Sequence, residues 1–229
     1  MLDAHGELTA REAVVELSPL LLDLAEFERD ENAEHYDGAH FGAAILGLTR
    51  AGRFDVFTGH NYQPIKRRHD EDNERPKICA EQGALLEGDT RGLKELLAVA
   101  IVGILMRDDQ TKLGTFASHM CRFCRPNFDQ HDAVSGDSIF ISKNPELQLV
   151  EVWRVGEVID LHEQIRRKKI KLSDVKFANI RGHVASSELV SRLVMQRLVE
   201  DDNPLFPEAG TRHRLGFRLR QALPREEQT

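Results

Sequence analysis

The three cysteines of this chain fall in a pattern that suits a single metal ion. Cys79 opens the sequence Cys79-Ala80-Glu81. Cys121 and Cys124 form a Cys-x-x-Cys pair farther along the chain. A catalytic zinc site takes three protein ligands and keeps a fourth position for water, and residues three apart on a helical turn share one face. The spacing therefore predicts a zinc centre held by Cys79, Cys121 and Cys124.

Glu81 is the candidate catalytic residue of this centre. It follows Cys79 by two positions, which is about 200° around a helix, so its carboxylate does not share the direction of the thiolate. A helix that starts at Cys79 also stabilises the thiolate through its unpaired N–H groups and dipole. We therefore expect Glu81 to lie beside the open coordination position and to carry protons for a zinc-activated water.

Other interpretations of the cysteines stay open at this point. Free cysteines of an intracellular protein are often ordinary buried hydrophobic residues. The Cys121-x-x-Cys124 pair is also typical of thiol redox chemistry, although this leaves Cys79 and Glu81 unexplained. A structural zinc site usually has four ligands, and His119 is available as the fourth.

Composition and charge narrow the class of protein. The chain has 229 residues, of which 41% are hydrophobic, enough for one sizeable core or a domain with an appendage. A formal net charge of −7 opposes non-specific binding to nucleic acid. We find no 18-residue apolar run and no secretory leader pattern after Met1. We expect a cytoplasmic protein with no membrane partner and no nucleic-acid partner.

The hydrophobic pattern indicates an α/β domain over residues 1–155. Ser18-Pro19 reads as the start of a helix, with Ser18 as the N-cap and proline at the first helical position. Further helices are predicted from Cys79 to about Gly88 and from Cys121 to about Asp129. About five strands are predicted, the first two as a hairpin: Phe41–Leu48, Arg53–Thr58, Ala98–Val102, Ser138–Ser142 and Leu147–Trp153.

Residues 156–229 are predicted to form a mainly helical C-terminal extension that packs on this domain. The segment Val158–Lys169 reads as one helix. Ser187–Glu200 reads as a second, because Leu189, Val190, Leu193, Val194 and Leu198 recur at helical spacing. We expect this apolar stripe to pack against the domain or against a second copy of the chain.

Four segments of the sequence resemble the cytidine deaminase family. Phe41–Ile45 resembles the family's Phe-x-Val-Gly-Ala-Ala segment, and Thr58–Gln63 resembles its Gly-x-Asn-x-Glu segment. Cys79–Gln82 resembles Cys-Ala-Glu-Arg, and Cys121–Arg125 resembles Pro-Cys-Gly-x-Cys-Arg. The resemblance implies a three-layer α/β/α sandwich, a catalytic zinc ion, hydrolytic deamination of a cytidine-like nucleoside and a homo-oligomer.

The resemblance also implies roles for individual residues. Cys79, Cys121 and Cys124 would bind Zn²⁺, and Glu81 would transfer protons. The substrate-binding residues would be Asn61, which would hydrogen-bond the ribose, Phe41, which would lie beside the pyrimidine, and Ala80 and Gln63.

Several positions depart from the family pattern. Gln63 replaces the ribose-binding glutamate, and Gln82 replaces an arginine expected beside the metal. Arg125 is the candidate to supply positive charge near three thiolates. The triplet Lys66-Arg67-Arg68 is a candidate for contacts with an anion. The alternatives to a cytidine-like substrate are therefore a nucleotide, a modified nucleoside or antibiotic, and a non-catalytic zinc-binding interaction module.

Overall fold

The computed structural model describes residues 6–33, 40–61, 78–103, 124–145, 149–166, 180–183, 187–200 and 203–216. Within these ranges the chain forms eight strands and five helices. The strands are β1 (Glu7–Leu8), β2 (Phe41–Thr49), β3 (Arg53–His60), β4 (Leu93–Gly103), β5 (Val134–Asn144), β6 (Leu149–Arg154), β7 (Ile180–His183) and β8 (His213–Leu215). The helices are α1 (Ala10–Ala33), α2 (Ala80–Thr90), α3 (Cys124–Asp129), α4 (Val155–Arg166) and α5 (Ser187–Glu200).

All eight described strands join one mixed sheet in the order β1-β8-β3-β2-β4-β5-β6-β7. Strand β2 runs antiparallel to both β3 and β4, whereas β4 and β5 are parallel. The carboxyl ends of β3, β4 and β5 therefore lie at one edge of the sheet, together with the start of β2. Ligands of open α/β sheets commonly bind outside the carboxyl ends of parallel strands.

Helices cover both faces of the sheet, and this confirms the predicted α/β/α layers. On one face, α1 and α5 pack on the first core, which includes Leu21, Leu46 and Val194. On the other face, α2, α3 and α4 pack on the second core, which includes Leu85, Phe128, Phe140 and Val158, among others. Side chains of β2, β4 and β5 alternate between the two cores, as the pleat of a strand requires.

Helix α1 begins earlier than the sequence predicted, so the assignment of Ser18 as an N-cap is wrong. The helix starts after Thr9, whose hydroxyl accepts a 3.2 Å hydrogen bond from the Glu12 N–H. The Glu12 carboxylate accepts a 2.8 Å bond from the Thr9 N–H in return, which completes a capping box. Ser18 instead donates its hydroxyl hydrogen to the carbonyl oxygen of Val14, one turn back. Pro19 lies inside the helix.

The predicted number of strands, about five, is also too small. The five predicted strands correspond to β2–β6, and Gly52 turns the β2–β3 hairpin with a φ of 70°. The additional strands are short and lie at the edges of the sheet. Both β7 and β8 come from residues 156–229, so this part of the chain contributes strands to the sheet as well as α4 and α5.

Helix α5 has the bounds that the sequence predicted, whereas α4 begins at Val155 and ends at Arg166. The side chains of Val190, Leu193 and Val194 on α5 are buried in the first core. In the described part of the chain, no helix combines the length and the hydropathy that crossing a membrane requires.

Candidate metal centre

Helix α2 rests directly on the end of β3, and two glycines make this contact possible. A Cβ atom on Gly59 would lie 2.4 Å from the backbone nitrogen of Ala84 and 2.7 Å from the backbone oxygen of Ala80. A Cβ atom on Gly83 would lie 3.6 Å from the Cα atom of Gly59. The close approach fixes the first turn of α2 at the carboxyl end of β3.

Cys79 occupies the N-cap position of α2. Its backbone is extended, with φ −76° and ψ 158°, and its carbonyl oxygen accepts a 2.9 Å hydrogen bond from the Gly83 N–H. Its side chain makes no capping hydrogen bond to the helix. The thiol therefore lies at the positive end of the helix dipole, where a thiolate is stabilised. The helix start predicted at Cys79 is confirmed.

Three side chains that bind metals converge at this end of α2. The sulfur atoms of Cys79 and Cys124 and a carboxylate oxygen of Glu81 all lie within 4.8 Å of one another. Glu81 is 5% exposed, Cys124 is fully buried, and Cys79 is partly buried. Two sulfurs bound to one zinc ion at about 2.3 Å in a tetrahedral site lie about 3.8 Å apart. This donor set therefore fits a zinc ion.

Several predicted site residues lie outside the described residues. They are Gln63, Lys66, Arg67, Arg68, His119 and Cys121. The third thiolate ligand, the fourth-ligand alternative and the anion contacts therefore stay predictions. Arg125 follows Cys124 in the first turn of α3 and is partly buried.

Phe41 and Asn61 meet at the edge of the sheet beside this centre. The Phe41 N–H donates a 2.8 Å hydrogen bond to Oδ1 of Asn61, and the Asn61 N–H donates a 3.1 Å bond to the Phe41 carbonyl oxygen. A Cβ atom on Gly103 would lie 2.1 Å from Cδ1 of Phe41, so the aromatic ring lies against the end of β4. Ala80 is fully buried in the first turn of α2.

Hydrogen bonds and ion pairs of charged side chains join the C-terminal half of α2 to β3. Glu87 accepts a 2.6 Å hydrogen bond from the Thr58 N–H, and a 2.8 Å ion pair joins it to Arg91. Arg91 also pairs with Asp55 at 2.8 Å and lies 5.0 Å from the centre of the Phe57 ring. Burial lowers the pKa of Arg91, but the hydrogen bond and charge of Glu87 and the charge of Asp55 outweigh burial, so its pKa is raised.

The sequence analysis missed a group of buried polar residues on the face of the sheet that α2 covers. Ser142 and Asn144 in β5 and Glu151 in β6 are each fully buried. Ser142 and Glu151 are paired in the β5–β6 register. The available signal was the interruption of apolar strands by polar residues at inward-facing positions, which is uncommon without a partner or a ligand.

The fold and the site define an α/β protein with a Cys/Glu/Cys group that suits a metal ion. Neither protein-family models nor curated protein sequences give a match to the chain. Solved structures that are similar to it include the cytidine deaminase from Mycobacterium leprae, with 18% identity and a TM-score of 0.36. That alignment covers 60% of this chain and 92% of the other.

The cytidine deaminase from Mycobacterium tuberculosis is also similar, with 19% identity and a TM-score of 0.33. Its alignment covers 58% of this chain and 89% of the other. Both solved proteins carry the name of the family whose motifs this sequence resembles.

Proposed function

We propose that this chain is a zinc-dependent hydrolase that removes an amino group from a cytidine-like nucleoside or a related base compound. The observation that carries the proposal is the convergence of Cys79, Glu81 and Cys124 within 4.8 Å at the start of α2 and α3. A purely structural zinc site has no use for a buried carboxylate beside two thiols. The motif Cys79-Ala80-Glu81, followed by Cys121-x-x-Cys124, supports the same chemistry.

Cys79, Cys121 and Cys124 would hold the ion in this proposal, and the fourth position would stay open. A bound zinc ion supplies a Lewis acid that lowers the pKa of water in the open position. Glu81 would take one proton from the attacking water and deliver it to the ring nitrogen, while the water oxygen bonds to the carbon that bears the amine. It would then take the second proton from the new hydroxyl group and give it to the amine, so that the bond between carbon and nitrogen breaks and ammonia leaves. Burial of Glu81 keeps bulk water away from these transfers.

Phe41 and Asn61 would hold the rest of the substrate. The Phe41 ring would provide an apolar surface beside the base. The amide of Asn61 would face the sugar, while its Oδ1 holds the backbone of Phe41. Gln63 and the triplet Lys66-Arg67-Arg68 would favour a phosphorylated or modified sugar over an unmodified one, because a neutral amide is a weaker acceptor than a carboxylate.

Ammonia release by the Glu81→Gln variant tests the catalytic role. We expect about one zinc per chain in both parent and variant, similar melting temperatures, and turnover reduced by at least about 10²-fold in the variant. Glu87→Gln on the same helix is the matched control, since Glu87 binds Thr58 and Arg91 instead of the metal group. Cys124→Ala should lose the zinc.

Two results would reject this function. Activity of Glu81→Gln within tenfold of the parent would show that Glu81 is not the proton carrier. Stoichiometric zinc without ammonia release from cytidine, deoxycytidine or their monophosphates would favour the non-catalytic interaction module. Comparison of kcat/KM between cytidine and the monophosphates then tests the preference for phosphate.

We also propose that the chain forms a homo-oligomer, as the resemblance to the family implies. Residues Met195 and Val199 leave apolar atoms exposed on α5, although the main stripe of this helix is buried in its own chain. Light scattering at micromolar concentration tests the proposal, and a mass of one chain would reject it.

A further inference from the structure

One row of paired residues crosses the sheet beneath the first turn of α2. The register pairs Gly59 with Ala43, Ala43 with Ile101, Ile101 with Ser142, and Ser142 with Glu151. Paired residues of neighbouring strands share one face of a sheet. Since Ala43 and Ile101 belong to the second core, Ser142 and Glu151 lie on the face that carries the candidate metal centre.

Ser142 presents a buried hydroxyl on this row. Its side chain is fully buried, and its Oγ has no hydrogen-bond partner within the described ranges of the chain. Ser138 on the same strand is equally buried, but its Oγ donates a 2.8 Å hydrogen bond to the Leu96 carbonyl oxygen. Buried hydroxyls that lack a partner cost stability and are rare in folded proteins. Ser142 therefore suits a contact with a bound ligand.

Glu151 defines the chemistry that such a ligand would offer. Its carboxyl group is fully buried and lies beside Ser142 in the register, and Asn144 is buried two residues farther along the same face of β5. A carboxyl group accepts hydrogen bonds in either protonation state, and a hydroxyl accepts as well as donates. A group that fits between Ser142 and Glu151 is therefore a hydrogen-bond donor, either N–H or O–H.

This polar group lies across β4 from Phe41 and Asn61. Strand β2 and strand β6 are three strand spacings apart, which is about 14 Å. A ligand that reaches from Asn61 to Ser142 therefore carries polar groups at two separate ends. A base with its sugar on the side of Asn61 would turn the opposite ring edge toward Ser142.

We propose that Ser142 and Glu151 are specificity-determining residues that select a base with a second hydrogen-bond donor on the ring edge remote from the sugar. The proposal rests on the proposed function and narrows its substrate class. The preferred substrate is a nucleoside whose base carries a hydroxyl or amino substituent in addition to the amine that is removed.

Three nucleosides that differ at one ring position test the proposal on the zinc-loaded full chain. The probes are cytidine, 5-methylcytidine and 5-hydroxymethylcytidine, whose 5-position lies on the edge away from the sugar. We expect the parent to favour the hydroxymethyl over the methyl compound in kcat/KM by about threefold to tenfold or more, as one or two hydrogen bonds provide. Ser142→Ala and Glu151→Leu, which each remove an acceptor, should each bring this ratio toward one.

Ser138→Ala is the matched control on the same strand. It should lower the melting temperature, because it removes the bond to Leu96, and keep the substrate ratio of the parent. Ser142→Ala should melt close to the parent, since no hydrogen bond of the described chain is lost. A fall in melting temperature for Ser142→Ala as large as that for Ser138→Ala would show a structural role and overturn the proposal.

The results also separate this proposal from the proposed function. Equal kcat/KM for the three compounds, or a preference that survives both substitutions, would overturn the specificity role and leave the deaminase intact. If no compound releases ammonia but 5-hydroxymethylcytidine raises the melting temperature of the parent and not of Ser142→Ala, recognition is supported and the reaction rejected. If the parent neither releases ammonia nor shows a higher melting temperature with 5-hydroxymethylcytidine, the proposed function and the specificity role are both overturned.

Discussion

The side-chain oxygen of Asn61 holds the backbone N–H of Phe41 at 2.8 Å, across the edge of the sheet where the candidate metal centre lies. This bond joins the end of β3 to the first residue of β2. It also fixes which end of the amide faces Phe41, because the oxygen must accept the hydrogen bond. Asn61 therefore has a structural task as well as the predicted contact with the sugar.

Substitution of Asn61 separates these two tasks. Asn61→Ala should lower the free energy of unfolding by about 1 kcal/mol, since the Phe41 N–H loses its acceptor. Asn61→Asp keeps an oxygen acceptor and should restore stability. If the amide nitrogen also donates to the substrate, kcat/KM for ammonia release should stay low in the Asp variant. Full activity of Asn61→Asp would mean that the role of this residue is structural alone.

The contact between Gly59 and Gly83 predicts unequal effects of two alanine substitutions. Gly59→Ala should displace the first turn of α2 and weaken zinc binding, because its Cβ would lie 2.4 Å from the Ala84 nitrogen. Gly83→Ala should be tolerated or stabilise by up to about 1 kcal/mol, since its Cβ meets ordinary contact distances and alanine favours a helix. Zinc titration and thermal melts compare them. Equal behaviour would contradict the close packing.

The capping box of α1 predicts a pH-dependent contribution to stability. The hydrogen bond from the Thr9 backbone lowers the pKa of Glu12 below its ordinary value of 4.5. A lowered folded-state pKa means that the charged form stabilises the fold above about pH 5 and that this contribution is lost as the pH falls through the folded-state pKa. The stability difference between parent and Glu12→Gln should therefore be largest near neutral pH and shrink below pH 4.5.

Urea unfolding at pH 7 and pH 3.5 measures this difference. In a Thr9→Ala background the same Glu12→Gln change should lose only part of its pH dependence, because the Thr9 hydroxyl is removed while the Thr9 backbone N–H, the main cause of the pKa shift, remains. A stability difference that is constant across this range would contradict the interaction.

The ion pair between Arg197 and Glu157 predicts that α5 contributes to the stability of the fold. Arg197 is 3% exposed and forms this ion pair with Glu157 in the first turn of α4, on the other side of the sheet. Glu157 in turn accepts a 2.8 Å hydrogen bond from the Arg154 N–H. Arg197→Met should destabilise by about 2 kcal/mol, because Glu157 loses a charged partner. Arg192→Met, at an exposed position of the same helix, is the control.

Thermal melts report the effect of Arg197→Met, with an expected fall of about 4–8 °C for a chain of this size. A melting temperature within 1 °C of the parent would show that the helix is held by its apolar stripe alone.

Local patterns in the sequence were enough to predict α5, β3 and the start of α2. The apolar stripe from Leu189 to Leu198 predicted α5 with the bounds that the structure has, and the alternation around Phe54 and Val56 predicted β3. The spacing of Cys79 and Glu81 placed the two residues at the start of a helix, where the structure brings them to Cys124.

Other features depend on contacts that local patterns do not contain. Strand β1 is two residues long and exists because Glu7 and Leu8 pair with residues 213–214 at the other end of the chain. Pro19 suggested a helix start, but upstream residues of α1, including Val14, are buried on the sheet, and this burial outweighs the preference of proline for the first turn. Ser142 and Glu151 became neighbours only through the register of β5 and β6.

The charged side chains that fasten α2 to β3 have a consequence for association between molecules. Three outward-facing backbone groups of this part of β3 have side-chain partners: the Val56 N–H donates to Asp55, the Val56 carbonyl accepts from Arg91, and the Thr58 N–H donates to Glu87. Strand β8 pairs with β3 at Arg53 and Phe54, and backbone groups farther along β3 that already have hydrogen-bond partners pair less readily with a strand from another chain. The contacts that orient α2 therefore also oppose aggregation through β3. Loss of Arg91 would weaken the attachment of α2 to β3 and would free the Val56 carbonyl for pairing with another chain.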